Sequence, residues 1–515
     1  MRSTHPIRSS PTRRPFIDSP SRMFRLARFF LCLLLPSALC AQERAARPTV
    51  LKLTLETAIQ ATLAKSFAIQ VQRFEPQIAK ENVTRQLGRF DPVFDLSVDR
   101  LEDSQSDAFV NGIHLQQRNV SRLDRFSAGL SGATAIGLTY DLGVGSRNNL
   151  GVFNNFTDDY ESRGSIALRQ PLLRGFGPKA NLAQVRIARN NVMVSEWALR
   201  RRIIDIITET NFVYNELHFA HEALLVAMRS RELAQQLLSD NESRVKIGVK
   251  SPLDVTEARA QVAAREEGVI LAQRAVRDNE NFLKQLVTND MERMLSVAVE
   301  IAPPPSLPFF ADVPAGIRDA LELRPDYRQN VLEIERNNIT LAFTRNQALP
   351  RFDLVGSLAM LGFDDNLGTS FNRISGRDQT AWSIGAIVSI PIPNREGRGA
   401  TNAAKLEAAK SLVALQQLEQ QIVVDVDNAA GQVITSRERI ISTREARRLA
   451  RETLDAGEAR LQAGGGTTFE VLELQKKLTE AEAALLRAQA DFNKAIGEYH
   501  RKTGTALRVH NVILN

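Results

Sequence analysis

The sequence predicts a mostly α-helical, internally duplicated protein in which long antiparallel helical hairpins are joined to a small set of membrane β-strands. Three observations predict that class. Lys179 to Ile247 is a run of 69 residues with neither glycine nor proline. Two stretches, "PVFDLSVD" from Pro92 and "PRFDLVGS" from Pro350, alternate apolar and polar side chains after long helix-forming tracts. The second half of the chain then repeats the first.

Residues 1–41 come first, with seven Arg and one acidic residue, Asp18, so they carry +6 of the formal net charge of +7. The basicity belongs to this leader, and the nearly neutral remainder argues for no nucleic-acid partner. Arg25 and Arg28 precede "FFLCLLL", and "PSALCAQ" follows, which is the layout of an export signal cleaved near Cys40 or Ala41. Met23 to Ala41 makes a complete signal peptide, so Met23 is a candidate start. Both cysteines, Cys32 and Cys40, lie here, and no structural disulfide is expected. Leu39 stands where lipid attachment at Cys40 needs a small residue. No later apolar run reaches the roughly 20 residues of a spanning helix, so membrane insertion falls to β-strands.

The first repeat is expected over 42–300, with a helix, strands at about 91–172, a long helix at 178–247 and a returning helix at 252–290. In the long helix Val213, Leu217, Ala220, Leu224, Ala227, Ala234 and Leu238 follow 4-3 heptad spacing, interrupted only at Arg231. A continuous helix of that length is about 100 Å long, more than a small globular core needs. Gly248 suits the end of one helix and Ser251-Pro252 the start of the next, which makes a hairpin. "IAPPPSLP" opens a proline-rich linker at 301–313. The second repeat is expected over 314–504, with a helix, strands at about 351–392, a long helix at 399–463 and a returning helix at 467–503, before a tail at 505–515.

The duplication is visible in individual residues. "RVKIGVKSPLDV" and "RLQAGGGTTFEV" match Arg244 with Arg460, Gly248 with Gly464, Asp254 with Glu470, Val255 with Val471 and Glu257 with Glu473. "QPLLRGFGPKANLAQ" and "IPIPNREGRGATNAA" share a proline (Pro171, Pro391), a glycine (Gly177, Gly397) and a following helix start.

The strand stretches have period two. Trp382, Ile384, Ala386, Val388 and Ile390 oppose Ser383, Gly385 and Ser389, and Phe94, Leu96 and Val98 oppose Asp95, Ser97 and Asp99. Residues 125–145 add another alternating stretch (Ile136, Leu138, Tyr140, Leu142, Val144) with no counterpart in the second half; an extra hairpin and an extracellular excursion both fit it. An ordinary soluble sheet would show the same alternation, but so few strands suit a barrel closed by several copies of the chain, which removes the open edges that lipid forbids.

Catalytic chemistry finds no support. His218 and His221, three apart on the long helix, lack a third metal ligand and suit helix packing or a tunnel-facing position. "GGGTTF" has no lysine and follows no strand, so it is no phosphate loop. No nucleophile with a base is recognisable, and neither an enzyme nor a cofactor is expected.

"ELRPDYRQNVLEIERNNITLAFTRNQALPRFDLVGSL", residues 322–358, resembles the TolC-like outer-membrane efflux proteins, with "RPD" before a helix and "LP" opening a strand. The duplication, "QPLLRGFG" before a long helix and the two glycine-containing tips extend the resemblance over about 51–504. It implies a homotrimer, each chain giving four strands to a shared twelve-stranded barrel in outer-membrane lipid, with the helices continuing as an α-barrel tunnel through the periplasm. Pro92, Pro171, Pro350 and Pro391 then mark the transitions between helices and strands. The implied function is the exit duct of a tripartite efflux or type I secretion system, passive and opened by a periplasmic adaptor protein and an inner-membrane transporter. The resemblance places the adaptor on the hairpin tips, at Gly248, Val249, Ser251, Gly464, Gly465 and Thr467. It also makes Glu470 and Glu473 an acidic ring at the periplasmic entrance, where the residue answering to the family's basic latch is Gly466. Rival readings are a periplasmic adaptor, which needs a lipoyl-like domain and a single hairpin, and a coiled-coil scaffold, which leaves the strands unexplained.

Overall fold

The computed structural model describes residues 50–513 apart from 106–107, 111–112, 116–118, 152–153, 306–308 and 377–378. The expected leader, with Met23, Cys32 and Cys40, and part of the proline-rich linker lie outside the described residues.

The first half runs β1 (Val50–Leu53), α1 (Leu55–Lys65), α2 (Phe67–Leu87), β2 (Val93–Gln105), β3 (Ala108–Val110), β4 (Ile113–Leu115), β5 (Asn119–Ala133), β6 (Thr139–Gly151), β7 (Tyr160–Pro171), α3 (Pro178–Asn181), α4 (Ala183–Lys246), α5 (Pro252–Val287), α6 (Met291–Met294) and β8 (Ala298–Ile301). The second runs α7 (Val313–Leu323), α8 (Pro325–Gln347), β9 (Arg351–Asp364), α9 (Leu367–Gly376), β10 (Gln379–Ser389), α10 (Arg395–Gln462), α11 (Thr468–Thr503) and α12 (Ala506–Val509). Helix lengths repeat between the halves: α4 has 64 residues and α10 68, while α5 and α11 have 36 each. At 1.5 Å per residue α4 and α10 are each about 100 Å long.

Local chemistry sets the helix starts. Thr54 caps α1 in a reciprocal box with Thr57, Ser251 does the same for α5 with Asp254, and Asp312 caps α7 through the Ala315 amide. Tertiary packing then joins the pieces. α4 lies along α5 and α10 along α11, with α4 also meeting α2, α8 and α11. Around the middle of α4, Tyr214 is fully buried among Leu53, Leu217, Leu283 and Val299, and its hydroxyl donates to the Ala302 carbonyl at 2.6 Å. β1 and β8 form a small parallel ribbon over this cluster. A second core joins α7, α10 and α11 through Ala320, Ile422, Val426, Val433 and Tyr499. Gly316 permits that contact, since a Cβ there would lie 2.6 Å from the Tyr499 hydroxyl oxygen.

Arg324 of the "RPD" stretch locks α8 to this core. It is 8% exposed, and its guanidinium donates to Asp326 at 2.7 Å, to Asp425 of α10 at 3.2 Å and to the Lys502 carbonyl of α11 at 3.3 Å. Burial alone would raise both carboxyl groups. Hydrogen bonds and charge outweigh it, from Arg324 at Asp326 and from Gln421, Lys502 and Arg324 at Asp425, and hold both below the usual carboxylate range.

The large sheet has six strands in the order β10-β9-β7-β6-β5-β2, antiparallel throughout. This corrects the count of four that the resemblance implies. The 125–145 stretch is the reason: β5 and β6 form a hairpin within the same sheet, closed by a tight turn in which Gly137 takes φ +95 and Gly137 N–H donates to the Thr134 carbonyl. Ile136 and Leu138 belong to that turn, while Tyr140, Leu142 and Val144 lie on the strand.

Register places every apolar series on one face. Leu96 stands opposite Ala128, Ala128 opposite Val144, and Leu142 lies between Leu130 and Ile166. Ile166 faces Leu358, which faces Trp382. The other face carries Asp99 and Arg125 in a 3.8 Å ion pair, Asp141, Arg163 and Arg169, and two hydroxyl pairs, Ser97 with Ser127 at 2.7 Å and Ser357 with Ser383 at 2.8 Å. At the end far from the long helices, α9 lies on the apolar side. Ser370 meets the buried Ser162 hydroxyl at 2.6 Å, and Gly362 is required because a Cβ would fall 2.0 Å from the Ser370 carbonyl.

Candidate functional site

The predicted tip residues form two turns of the same design. Gly248 ends α4 at φ +75, with Val249 N–H on the Arg244 carbonyl (2.9 Å) and Gly248 N–H on Val245 (3.0 Å). Gly464 ends α10 at φ +78, with Gly465 on Arg460 (3.0 Å) and Gly464 on Leu461 (3.2 Å). Each turn satisfies two orphan carbonyls of its helix and needs the left-handed conformation that glycine adopts without strain. Ser251 and Thr467 then cap α5 and α11, Thr467 accepting from the Glu470 amide at 3.2 Å.

The structure brings the two tips together. Lys250 of the first tip hydrogen-bonds Thr468 of the second and donates to Asn241 Oδ1 at 3.1 Å; Asn241 and Thr468 are both buried. Burial lowers the Lys250 ammonium from its ordinary range, against the pull of Asp254 at 3.8 Å. Leu237, Leu454, Leu461, Val471, Leu472 and Leu478 pack behind this contact.

The acidic pair divides into two different environments. Glu470 forms a 3.1 Å ion pair with Arg460, ten positions earlier across the turn. Glu473 is half-buried and has neither hydrogen bond nor ion pair among the described residues. Sequence reading missed Lys250, Asn241 and Thr468. Lys250 stands inside the quoted tip, but nothing local signals a partner 218 positions away.

At the other end the transition prolines take two kinds of place. Pro171 and Pro350 sit side by side in the middle of the sheet's base, where Leu172 N–H donates to Phe352 at 2.7 Å and Arg174 N–H to the Pro350 carbonyl at 3.3 Å. Asn346 Oδ1 accepts from the Gly175 amide at 2.8 Å and ties the two junctions. Pro92 and Pro391 instead flank β2 and β10, the two edges. His218 and His221 lie on α4 in neither region, and burial lowers the His218 pKa below its ordinary value.

A helical rod ending in paired capped turns, joined to a sheet with an apolar band along one face, suits a membrane duct. The model of one family, described as outer membrane efflux protein, matches residues 133–289 and 316–496. The chain belongs to the outer membrane efflux protein family. That makes it a protein of the outer membrane that extends into the periplasm, in a family of channels and not of enzymes. It is 26% identical over 202 residues to nodulation protein T of Rhizobium leguminosarum bv. trifolii, covering 39% of this chain and 42% of that one, under half of the relative's length. It is 23% identical over 344 residues to the outer membrane efflux protein BepC of Brucella suis, covering 65% and 70%. Among solved structures, the CmeC outer membrane channel of Campylobacter jejuni superposes with a TM-score of 0.67 at 17% identity, covering 88% of this chain and 86% of that one. The efflux-family fold therefore accounts for the rod and the sheet together.

Proposed function

We propose that this efflux-family chain acts as a homotrimer, a passive exit duct of a tripartite efflux or type I secretion system. A periplasmic adaptor docks on the tips around Gly248, Val249, Ser251, Gly464, Gly465 and Thr467, and an inner-membrane transporter supplies the energy. The observation that carries this reading is the latch between the two tips: Lys250 holds Thr468 across the hairpins, a link that must yield if they are to part. Glu473, unpaired among the described residues of one chain, meets its symmetry mates at the entrance and forms the ring that attracts cations and repels anions.

The test is the native mass of the protein extracted in detergent from outer membranes. A trimer is expected; a monomer, or release by salt alone, would overturn the reading. In bilayers, Glu473→Gln is expected to weaken divalent-cation block several-fold, whereas Glu470→Gln has a smaller effect because Arg460 already offsets that charge. Equal effects of the two variants would remove the ring from Glu473.

A further inference from the structure

The sheet that one chain builds is open, and one of its two edges is of unusual character. β10 is an edge strand of 11 residues, Gln379–Ser389, that contains no charged residue and no proline. Exposed edges in monomeric sheets are blunted by such residues or by bulges, and the β10–β9 register is continuous across all eleven pairs. Its apolar side chains are laid bare, Ile384 being 77% exposed and Trp382 74%. At the opposite edge, β2 presents Phe94, Leu96 and Val98 on the same face of the sheet, with Val98 76% exposed. Asp95, Ser97 and Asp99 match the polar side of Ser383 and Gly385.

Strand direction suits a join between these edges. β2 leaves the helices and β10 returns to them, so with an even number of antiparallel strands β10 of one copy meets β2 of the next antiparallel. The added hairpin belongs to the wall, because Leu130, Leu142 and Val144 continue the apolar band between Leu96 and Ile166 without a gap.

We infer that three copies, each giving six strands, close an eighteen-stranded barrel through β10–β2 pairing, wider than the twelve-stranded barrel the resemblance implies. The inference rests on the threefold duct reading. Barrel diameter grows roughly linearly with strand number, so the exit is about half again as wide as a twelve-stranded one. The widths of the two halves of the duct then agree. Six strands about 4.8 Å apart, tilted by about 40°, take up about 38 Å of circumference, while the four helices at the junction (α2, α4, α8 and α10), about 9 Å apart, take up about 36 Å. Four strands cover only about 25 Å on the same reckoning. The membrane wall is therefore no narrower than the helical tunnel, and selection of cargo falls to the tips.

Electron cryomicroscopy of the detergent-extracted oligomer, viewed along its symmetry axis, tests this directly. Eighteen strands around a trimer are expected. Twelve strands around a trimer, with the β5–β6 hairpin outside the wall, overturn the wide barrel and leave the duct reading standing; an assembly of any other copy number overturns both. A second measurement uses the hairpin itself. Leu142→Arg, on the apolar face, is expected to lower outer-membrane trimer at least tenfold, while Ser131→Arg, on the polar face, leaves it near normal. Wild-type levels of Leu142→Arg overturn the placement of the hairpin in the wall.

Discussion

Ile384→Arg is expected to abolish the outer-membrane assembly, whereas Ser383→Arg, one residue away, leaves it intact. Ile384 faces Gly356 across β9–β10 and lies midway along the apolar band, between Trp382 opposite Leu358 and Val388 opposite Phe352. An arginine on the lipid face near the bilayer midplane costs about 2–4 kcal/mol. In a trimer the cost recurs in every copy, about 6–12 kcal/mol in all, enough to remove a marginal assembly. Ser383 turns the other way and meets the Ser357 hydroxyl at 2.8 Å on the charged face, where an arginine stays in water. Heat-resistant trimer on gels and the amount of protein in outer-membrane fractions read the result. Normal levels of Ile384→Arg, or loss of both variants, would mean that the apolar face does not meet lipid.

The second large effect is expected far from the membrane. Arg324→Met leaves the carboxylates of Asp326 and Asp425 without their common partner, in a site where Arg324 itself is 8% exposed. Removing one member of a buried pair costs about 3–5 kcal/mol, and the low end is expected because Lys502 still reaches Asp425 at 3.1 Å. Amide hydrogen exchange in α8, α10 and α11 is the measurement, with protection falling about 100-fold at neutral pH. The sign of the pH dependence follows from the lowered folded-state pKa of both aspartates. Their contribution is fully present above the unfolded value of about 3.9 and is lost as pH falls through the folded values, so the gap between variant and wild type closes below about pH 4. A gap that stays constant into that range would exclude the ion pairs as its source.

Several features were legible in the chain because they depend on neighbours in sequence. Gly248 and Gly464 were readable as helix ends, since only a left-handed residue closes such a turn, and both adopt positive φ. The strand faces were readable because period two is a property of the extended backbone itself, and Phe94, Leu96 and Val98 fall on the same face as Trp382, Ile384 and Val388. The acidic pair was legible as a pair, but the different environments of Glu470 and Glu473 were not. Arg460 reaches Glu470 only because the tip folds back over ten positions.

The sequence by itself determined the family, the helical hairpins, the strand faces and the design of the tips, all properties of local periodicity, capping and duplication. Only the tertiary structure decided that 125–145 joins the membrane sheet and raises the strand number to six, that Lys250 binds Thr468, and that Arg324 holds Asp425. The physical reason is common to all three. A strand's register and an ion pair's partner are chosen by which segments the packed helices bring within a few ångströms, across 101 positions for Arg324 and 218 for Lys250, and a chain read residue by residue carries no local mark of that choice.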